Sequence, residues 1–349
     1  MINQTSINEF LTLAGQYPML DVRSPGEYAQ AHIPGAHSLP LFSDEERKVV
    51  GTAYKQQGRE VAIKMGLDYF GVKMRAMVEA VEAIVMAHGA PGNKCVLVHC
   101  WRGGMRSAGV AWLLDLYGFK VHVLTGGYKA FRNRMLEEFA WPVALQVLGG
   151  YTGSGKTEVL HELANSGQRI IDLEGLAGHR GSAFGGIGNA PQPSQEMFEN
   201  KLGMVLYEVA TGDGPIWIED ESRRIGTVNI PNAFWDGMQQ SPVCFLEVPF
   251  EERLNYITET YGLLDKEQLI AAIQRIQKRL GTLNAKNAIA HLQASEHKEA
   301  FRILLTYYDK YYAQDIENRS KVLPSMNRIA CDAVSKDNSK QLTKEKITT

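Results

Sequence analysis

Two stretches of this 349-residue chain hold residue types at spacings that can do chemistry. The first is Cys100-Trp101-Arg102-Gly103-Gly104-Met105-Arg106-Ser107, directly after the apolar run Cys95-Val96-Leu97-Val98-His99. A cysteine at a strand end, followed by a glycine-containing loop and a helix, sits where backbone N–H groups and the helix N-terminus converge on its sulfur. The guanidinium groups of Arg102 and Arg106 add positive charge. Such a cradle favours a thiolate nucleophile and also suits a tetrahedral oxyanion. Cys100, Arg102 and Arg106 are therefore the candidate catalytic residues, and Ser107 is the expected N-cap of a helix over Ala108–Leu116.

The second stretch, Gly150-Tyr151-Thr152-Gly153-Ser154-Gly155-Lys156-Thr157, satisfies G-x-x-x-x-G-K-[ST] between the apolar run Leu145–Leu148 and a helix expected from near Thr157. Its backbone N–H groups would cradle a diphosphate, with Gly150, Gly153, Ser154 and Gly155 shaping the cup. Lys156 would neutralise the terminal oxygens and the Thr157 hydroxyl would hold Mg²⁺. Ile216-Trp217-Ile218 reads as a strand that ends in Glu219-Asp220-Glu221. Asp220 is the expected second Mg²⁺ or water-positioning residue, while Glu219 and Glu221 weigh equally as solvated strand-end residues. Arg180 and Arg223 follow expected strand ends, where loops face a ligand, and are candidates to hold phosphate.

These residues need rigid elements behind them, and the composition supplies material for those elements. At 44% hydrophobic and 22% charged, the chain is predicted to fold as two or three domains rather than remain disordered. No run approaches the roughly 20 apolar residues of a membrane span and the start lacks the plan of a secretory signal, so a cytoplasmic protein without membrane contact is expected. Four cysteines with no CxxC pair exclude a disulfide framework and speak against zinc. A net charge of −2 excludes a generic polyanion binder, so RNA contact requires a local patch.

Short apolar runs at Met19–Val22, Cys95–His99 and Val121–Leu124 alternate with helical stretches at Val78–Met86 and Ala108–Leu116, the pattern of a parallel α/β sheet. After Trp141-Pro142 the pattern restarts, with strands expected at Leu145–Leu148, Arg169–Ile171, Ile216–Ile218 and Val243–Leu246. From Leu254 to about Tyr312 the periodicity is helical, basic and rich in tyrosine. Asp332–Thr349 is polar and reads as a loose tail. The expected domains are 7–137, 143–325 and a flexible tail over 332–349.

Asp21-Val22-Arg23-Ser24-Pro25-Gly26-Glu27-Tyr28, Ala31-His32-Ile33-Pro34-Gly35-Ala36, the Cys100 loop and Leu124-Thr125-Gly126-Gly127-Tyr128 resemble the successive signatures of a rhodanese domain. The resemblance implies a cysteine that carries sulfur or selenium, with Asp21 and Arg23 as a structural ion pair and His32 as a packed turn residue. His99-Cys100-x5-Arg106 also fits the pattern of cysteine phosphatases, some of which share that fold, although no general acid for a leaving alkoxide stands out.

The fold class is thus a rhodanese-like parallel-sheet domain followed by a P-loop NTPase-like α/β domain with a helical C-terminal part. With Asp44-Glu45-Glu46-Arg47, Gly51-Thr52-Ala53-Tyr54-Lys55-Gln56, His179-Arg180-Gly181-Ser182 and Glu219-Asp220-Glu221-Ser222-Arg223, the arrangement resembles the tRNA 2-selenouridine synthase family over about residues 7–325. That resemblance implies conversion of wobble 2-thiouridine to 2-selenouridine. The thiocarbonyl sulfur is geranylated from geranyl diphosphate, then replaced by selenium from selenophosphate through a selenylated cysteine. No permanent cofactor is implied beyond Mg²⁺.

The expected partner is tRNA at its anticodon loop, with a selenophosphate-supplying enzyme as a candidate and a monomer as the expected state. Arg275, Lys278 and Arg279 can share a helix face and the nearby tyrosines could stack on unpaired bases, a reading that weighs equally with an ordinary solvated helix. A sulfurtransferase or phosphatase, a P-loop that takes ATP instead, and a nucleotide-gated interaction module are the alternatives.

Overall fold

The computed structural model describes residues 1–89, 94–320 and 326–344, with side chains described to 313 and over 326–342. The chain divides into two compact units, Met1–Glu138 and Phe139–Thr349.

In the first unit the elements run β1 (Ile2–Thr5), α1 (Ile7–Ala14), β2 (Met19–Asp21), α2 (Pro25–Gln30), β3 (His37–Ser38), α3 (Asp44–Gln56), α4 (Arg59–Gly71), α5 (Met74–Ala87), β4 (Cys95–His99), α6 (Met105–Leu116), β5 (Lys120–Leu124) and α7 (Gly127–Glu138). The sheet has the order β1-β5-β4-β2-β3 and every pair in it is parallel. β4 is central and wholly buried, as a strand covered on both faces must be. Its apolar side chains join Leu20, Val22, Phe70, Val81, Val110, Leu114 and Val121 in one core.

α6 begins three residues earlier than expected. Gly104 is its N-cap, and Ser107 lies in its first turn, fully buried. Ser107 therefore does not cap the helix; its hydroxyl turns back toward the loop.

The second unit contains β6 (Leu145–Gly150), α8 (Lys156–Asn165), β7 (Arg169–Ile171), α9 (Leu173–Ala177), α10 (Gln195–Val209), β8 (Ile216–Glu219), β9 (Arg224–Ile225), β10 (Val228–Asn229), α11 (Asn232–Gln240), β11 (Val243–Glu247), α12 (Phe250–Tyr261), α13 (Lys266–Leu280), α14 (Thr282–Gln293), α15 (His297–Ser320), β12 (Met326–Ala330) and α16 (Ser339–Lys344). Its sheet, also parallel throughout, has the order β12-β11-β6-β8-β7, while β9 and β10 form a separate antiparallel pair. Helices α12 to α15 bring Leu254, Leu269, Ile273, Leu292, Phe301 and Leu305 into a core of their own.

The expected loose tail is folded where it is described. β12 pairs along β11 just before it, and within it Leu342 is buried with Val159, Leu160 and Leu163 of α8. Asn338 and Ser339 are buried as well. Sparse apolar residues suffice here, because each is spent on a surface already presented by α8 and β11. Residues 345–349 lie outside the described residues.

Candidate functional site

In the first unit β4 delivers Cys100 to the C-terminal end of the sheet, where it is 2% exposed. Gly103 lets the following loop curl over it. The residue has φ +65°, and a Cβ would sit 2.7 Å from the Leu124 carbonyl oxygen, so L side chains are excluded twice. The Gly104 N–H donates to Cys100 Sγ at 3.3 Å. The Ser107 hydroxyl stands 3.2 Å from the sulfur and 3.1 Å from the Gly104 carbonyl. It has one proton to give, to the carbonyl beside a thiol or to the sulfur beside a thiolate.

Burial by itself would push the Cys100 thiol up. The Ser107 hydroxyl and the N–H groups of Ser107, Arg102 and Gly104 outweigh that and bring it below the ordinary thiol range.

The two arginines do not act as expected. Arg106 Nη1 lies 2.7 Å from Glu27 Oε2, so its charge is committed to a carboxylate that also accepts the Ser24 N–H. Burial opposes ionisation of Glu27, but Arg106 outweighs it and holds the carboxyl at about 2. Arg102 has an exposed side chain and contributes its backbone N–H. The loop backbone and Ser107 thus replace guanidinium groups as the source of thiolate stabilisation. Ser107 and Glu27 were missed because a buried serine in a helical turn and a glutamate 79 residues from its partner carry no local signal.

Asp21 and Arg23 form the buried ion pair that the resemblance implied, 2.6 Å apart, and Arg23 lies 3.9 Å from the Tyr128 ring centroid. His32 stacks on Tyr28, a packing role. Burial keeps His99 neutral, with its pKa lowered to about 4.

In the second unit the phosphate loop links β6 to α8, which starts at Lys156 behind Gly155 in a left-handed conformation. Gly153, at φ +79°, has no room for a Cβ, which would fall 2.6 Å from Ile257 Cδ1. Lys156 Nζ donates to the Gly150 carbonyl at 3.1 Å, and Ser154 is buried within the loop. Arg253 is a positioning residue that the sequence did not reveal. It is 3% exposed, pairs with both Asp309 oxygens at 2.9 and 2.7 Å, and donates to the Thr152 carbonyl at 3.2 Å.

The carboxylate next to Thr157 is Glu219, not Asp220. Thr157 Oγ1 donates to Glu219 Oε1 at 2.7 Å, with Glu174 Oε2 at 3.2 Å. Alternation along β8 decides this. Asp220, on the cleft wall, instead accepts from the Tyr312 hydroxyl at 2.8 Å. Burial first, then Glu174, pushes Glu219 up, and the same two causes raise Glu221 well above the usual carboxylate range. Burial first also raises Glu174, so these neighbouring carboxyls all shift toward the protonated form.

A cleft of about 580 Å³ opens over the loop and is walled by Thr152–Glu158, Arg180, Ser182, Glu221 and Tyr261 among others. Arg180 faces it, whereas Arg223 is exposed and not part of its wall. Among the described residues no set of three or more His, Cys, Asp or Glu is arranged to hold a metal ion. Thr157 with Glu219, whose Oε2 has no hydrogen-bond partner among the described residues, still matches the sparse protein donor set with which a P-loop shares Mg²⁺ with its ligand's phosphates.

Arg275, Lys278 and Arg279 are exposed on α13, although Arg275 also donates to the Ala183 carbonyl at 3.3 Å. The tyrosines are mostly packed. Tyr308 and Tyr312 line the cleft, leaving Tyr311, 50% exposed, as the tyrosine of that run open to a base. No helix among the described residues is long and apolar enough to cross a membrane.

Residues 6–134 match the family model of the rhodanese-like domain, and residues 143–341, more than half of the chain, match that of the tRNA 2-selenouridine synthase AAA domain. A tRNA 2-selenouridine synthase of Hydrogenovibrio crunogenus is 38% identical over 335 residues, covering 86% of this chain and 90% of that protein. One from Pseudomonas putida is 37% identical, covering 85% and 87%, and one from Nitrosomonas europaea is 39% identical, covering 76% and 68%. With a cysteine cradle and a phosphate loop each built on its own parallel sheet, and relatives aligned across both, the chain belongs to the tRNA 2-selenouridine synthase family.

Proposed function

We propose that this protein replaces sulfur with selenium at C2 of wobble 2-thiouridine in tRNA, using the two sites in succession. The observation that carries the reading is the pairing in one chain of a buried, hydrogen-bonded cysteine sulfur with a diphosphate-shaped loop. A thiocarbonyl sulfur leaves poorly, and alkylation turns it into a thiolate leaving group.

In the first step that sulfur attacks the allylic carbon of geranyl diphosphate. A C–S bond forms, the C–O bond breaks, diphosphate departs and the N3 proton is lost. Backbone N–H groups of Gly153–Thr157 and Lys156 hold the departing anion, and Arg180 faces it from across the cleft. Thr157 and Glu219 would hold Mg²⁺, which supplies further charge neutralisation when bound.

In the second step the Cys100 thiolate attacks C2 and expels geranylthiolate. The selenium of selenophosphate then displaces Cys100, and water cleaves the P–Se bond to release phosphate. Selenium stays at one oxidation level throughout. A selenylated Cys100 would hold selenium two electrons higher and would need a thiol to return it, whereas the cysteinyl adduct needs none.

The test is product analysis by mass spectrometry with a 2-thiouridine tRNA. Cys100→Ala is expected to stop selenation and accumulate S-geranylated tRNA, while Lys156→Met is expected to abolish geranylation. Geranylation that survives Lys156→Met while nucleotide binding is lost would assign the loop to ATP instead. Selenation of the geranylated tRNA that requires an added thiol would return the selenylated cysteine to first place.

A further inference from the structure

The phosphate-loop cleft has an apolar annex. A notch of about 30 Å³ is closed at its floor by Phe184, Phe301, Leu304 and Leu305. It shares Thr152, Ser182, Ile257, Tyr261 and Tyr308 with the cleft itself, so the two spaces abut across these side chains. The four floor residues belong to the helical core of the second unit and are each no more than 6% exposed. Ile257 also packs on Gly153 of the loop, which sets the notch beside the anion cup.

The boundary carries the hydroxyls of Thr152, Ser182, Tyr261 and Tyr308, whereas the floor carries no polar side-chain atom. Ring surface and hydrocarbon are therefore what the floor offers. A purine that reached that floor would bring ring nitrogens and an amine to side chains with nothing to pair them, at the cost of desolvation. A branched hydrocarbon end loses nothing there and gains burial.

We propose that Phe184, Phe301, Leu304 and Leu305 form a chain-length stop for the apolar tail of the diphosphate substrate. The inference rests on the reading of the phosphate loop as a prenyl diphosphate site and adds which residues set the length of the prenyl group. The notch has room for about one water-sized group. It can therefore seat one methyl of a terminal branch but not a further isoprene unit, and its floor is dense core rather than solvent.

The experiment offers the full-length protein an equimolar mixture of geranyl and farnesyl diphosphates with a 2-thiouridine tRNA and measures the ratio of S-alkylated products. The wild type is expected to favour geranyl. Leu304→Ala, which deepens the notch, is expected to raise the farnesyl-to-geranyl ratio by about tenfold or more, the discrimination typical of small apolar groups. Leu304→Phe, which fills it, is expected to lower geranyl transfer by a similar factor while dimethylallyl transfer persists.

Circular dichroism melts establish that each variant is folded. If one is not, Phe184→Ala and Phe184→Trp make the same pair of changes from the opposite wall. Ratios that stay at the wild-type value in folded variants of both kinds would overturn the stop while leaving the prenyl diphosphate site intact. A wild type that transfers no prenyl group from any donor would overturn both.

Discussion

The Cys100 thiol is brought below the ordinary range by small dipoles close at hand, and this locates the sensitivity of the site in one hydroxyl. Removing the Ser107 hydroxyl takes a donor from the ionised sulfur and leaves burial, which favours the neutral thiol, less opposed. Ser107→Ala should therefore raise the thiol pKa. The pH profile of Cys100 alkylation by iodoacetamide should move to higher pH, and the rate at neutral pH should fall about tenfold, the worth of one hydrogen bond to a charged group. An unmoved pH profile would show that the backbone N–H groups suffice.

At the phosphate loop, the proximity of Glu219 to Thr157 makes Glu219→Gln the more damaging change and Asp220→Asn the milder one, judged by Mg²⁺-dependent geranylation. The sequence makes Cys100, Lys156 and Thr157 legible because their roles depend on immediate neighbours. It cannot choose among Glu219, Asp220 and Glu221, since that choice depends on which side of β8 faces α8.

Among the elements, the least apparent contribution is that of α12 to the loop it does not adjoin in sequence. Arg253 ties Thr152 to Asp309 of α15 with both partners largely buried. Breaking such a pair leaves a charge without its counterion, which costs about 3–5 kcal/mol. Arg253→Met is expected to lower the thermal stability of the second unit by roughly that amount and to weaken diphosphate binding, both readable from melts with and without ligand.

The basic face of α13 belongs to this scale as well. Reversing the charge of Arg275, Lys278 and Arg279 should weaken tRNA binding and reduce the salt dependence of its affinity, if phosphates lie along that helix. A titration across salt concentrations that keeps its slope would discard the patch. Central strands were legible here because burial on both faces demands continuous apolar runs, as at Cys95–His99 and Val243–Leu246. The edge strands β1 and β12 were not, because an edge has one neighbour and tolerates polar residues such as Asn3, Gln4, Asn327 and Arg328.

For the whole molecule, the folded C-terminal segment has a consequence for truncation. Deleting residues 332–349 removes Leu342 from the α8 side of the sheet and Val334 from beside Gly155. The second unit should then melt several degrees lower, as follows from the loss of about two buried aliphatic side chains. The first unit, compact in its own right, should be unaffected. Equal melting of both forms would return the segment to the status of a loose tail.

The sequence by itself determined the two parallel α/β units, the cysteine at the end of a central strand and the glycine-rich P-loop, because each is encoded by contiguous residues whose periodicity and glycine placement act over a few positions. Only the tertiary structure decided that Arg106 serves Glu27 rather than the sulfur, that Glu219 rather than Asp220 meets Thr157, that Arg223 stays outside the cleft and that an apolar notch adjoins the loop. Those outcomes depend on contacts between residues far apart in the chain, where packing in three dimensions selects among side chains that look equivalent in sequence.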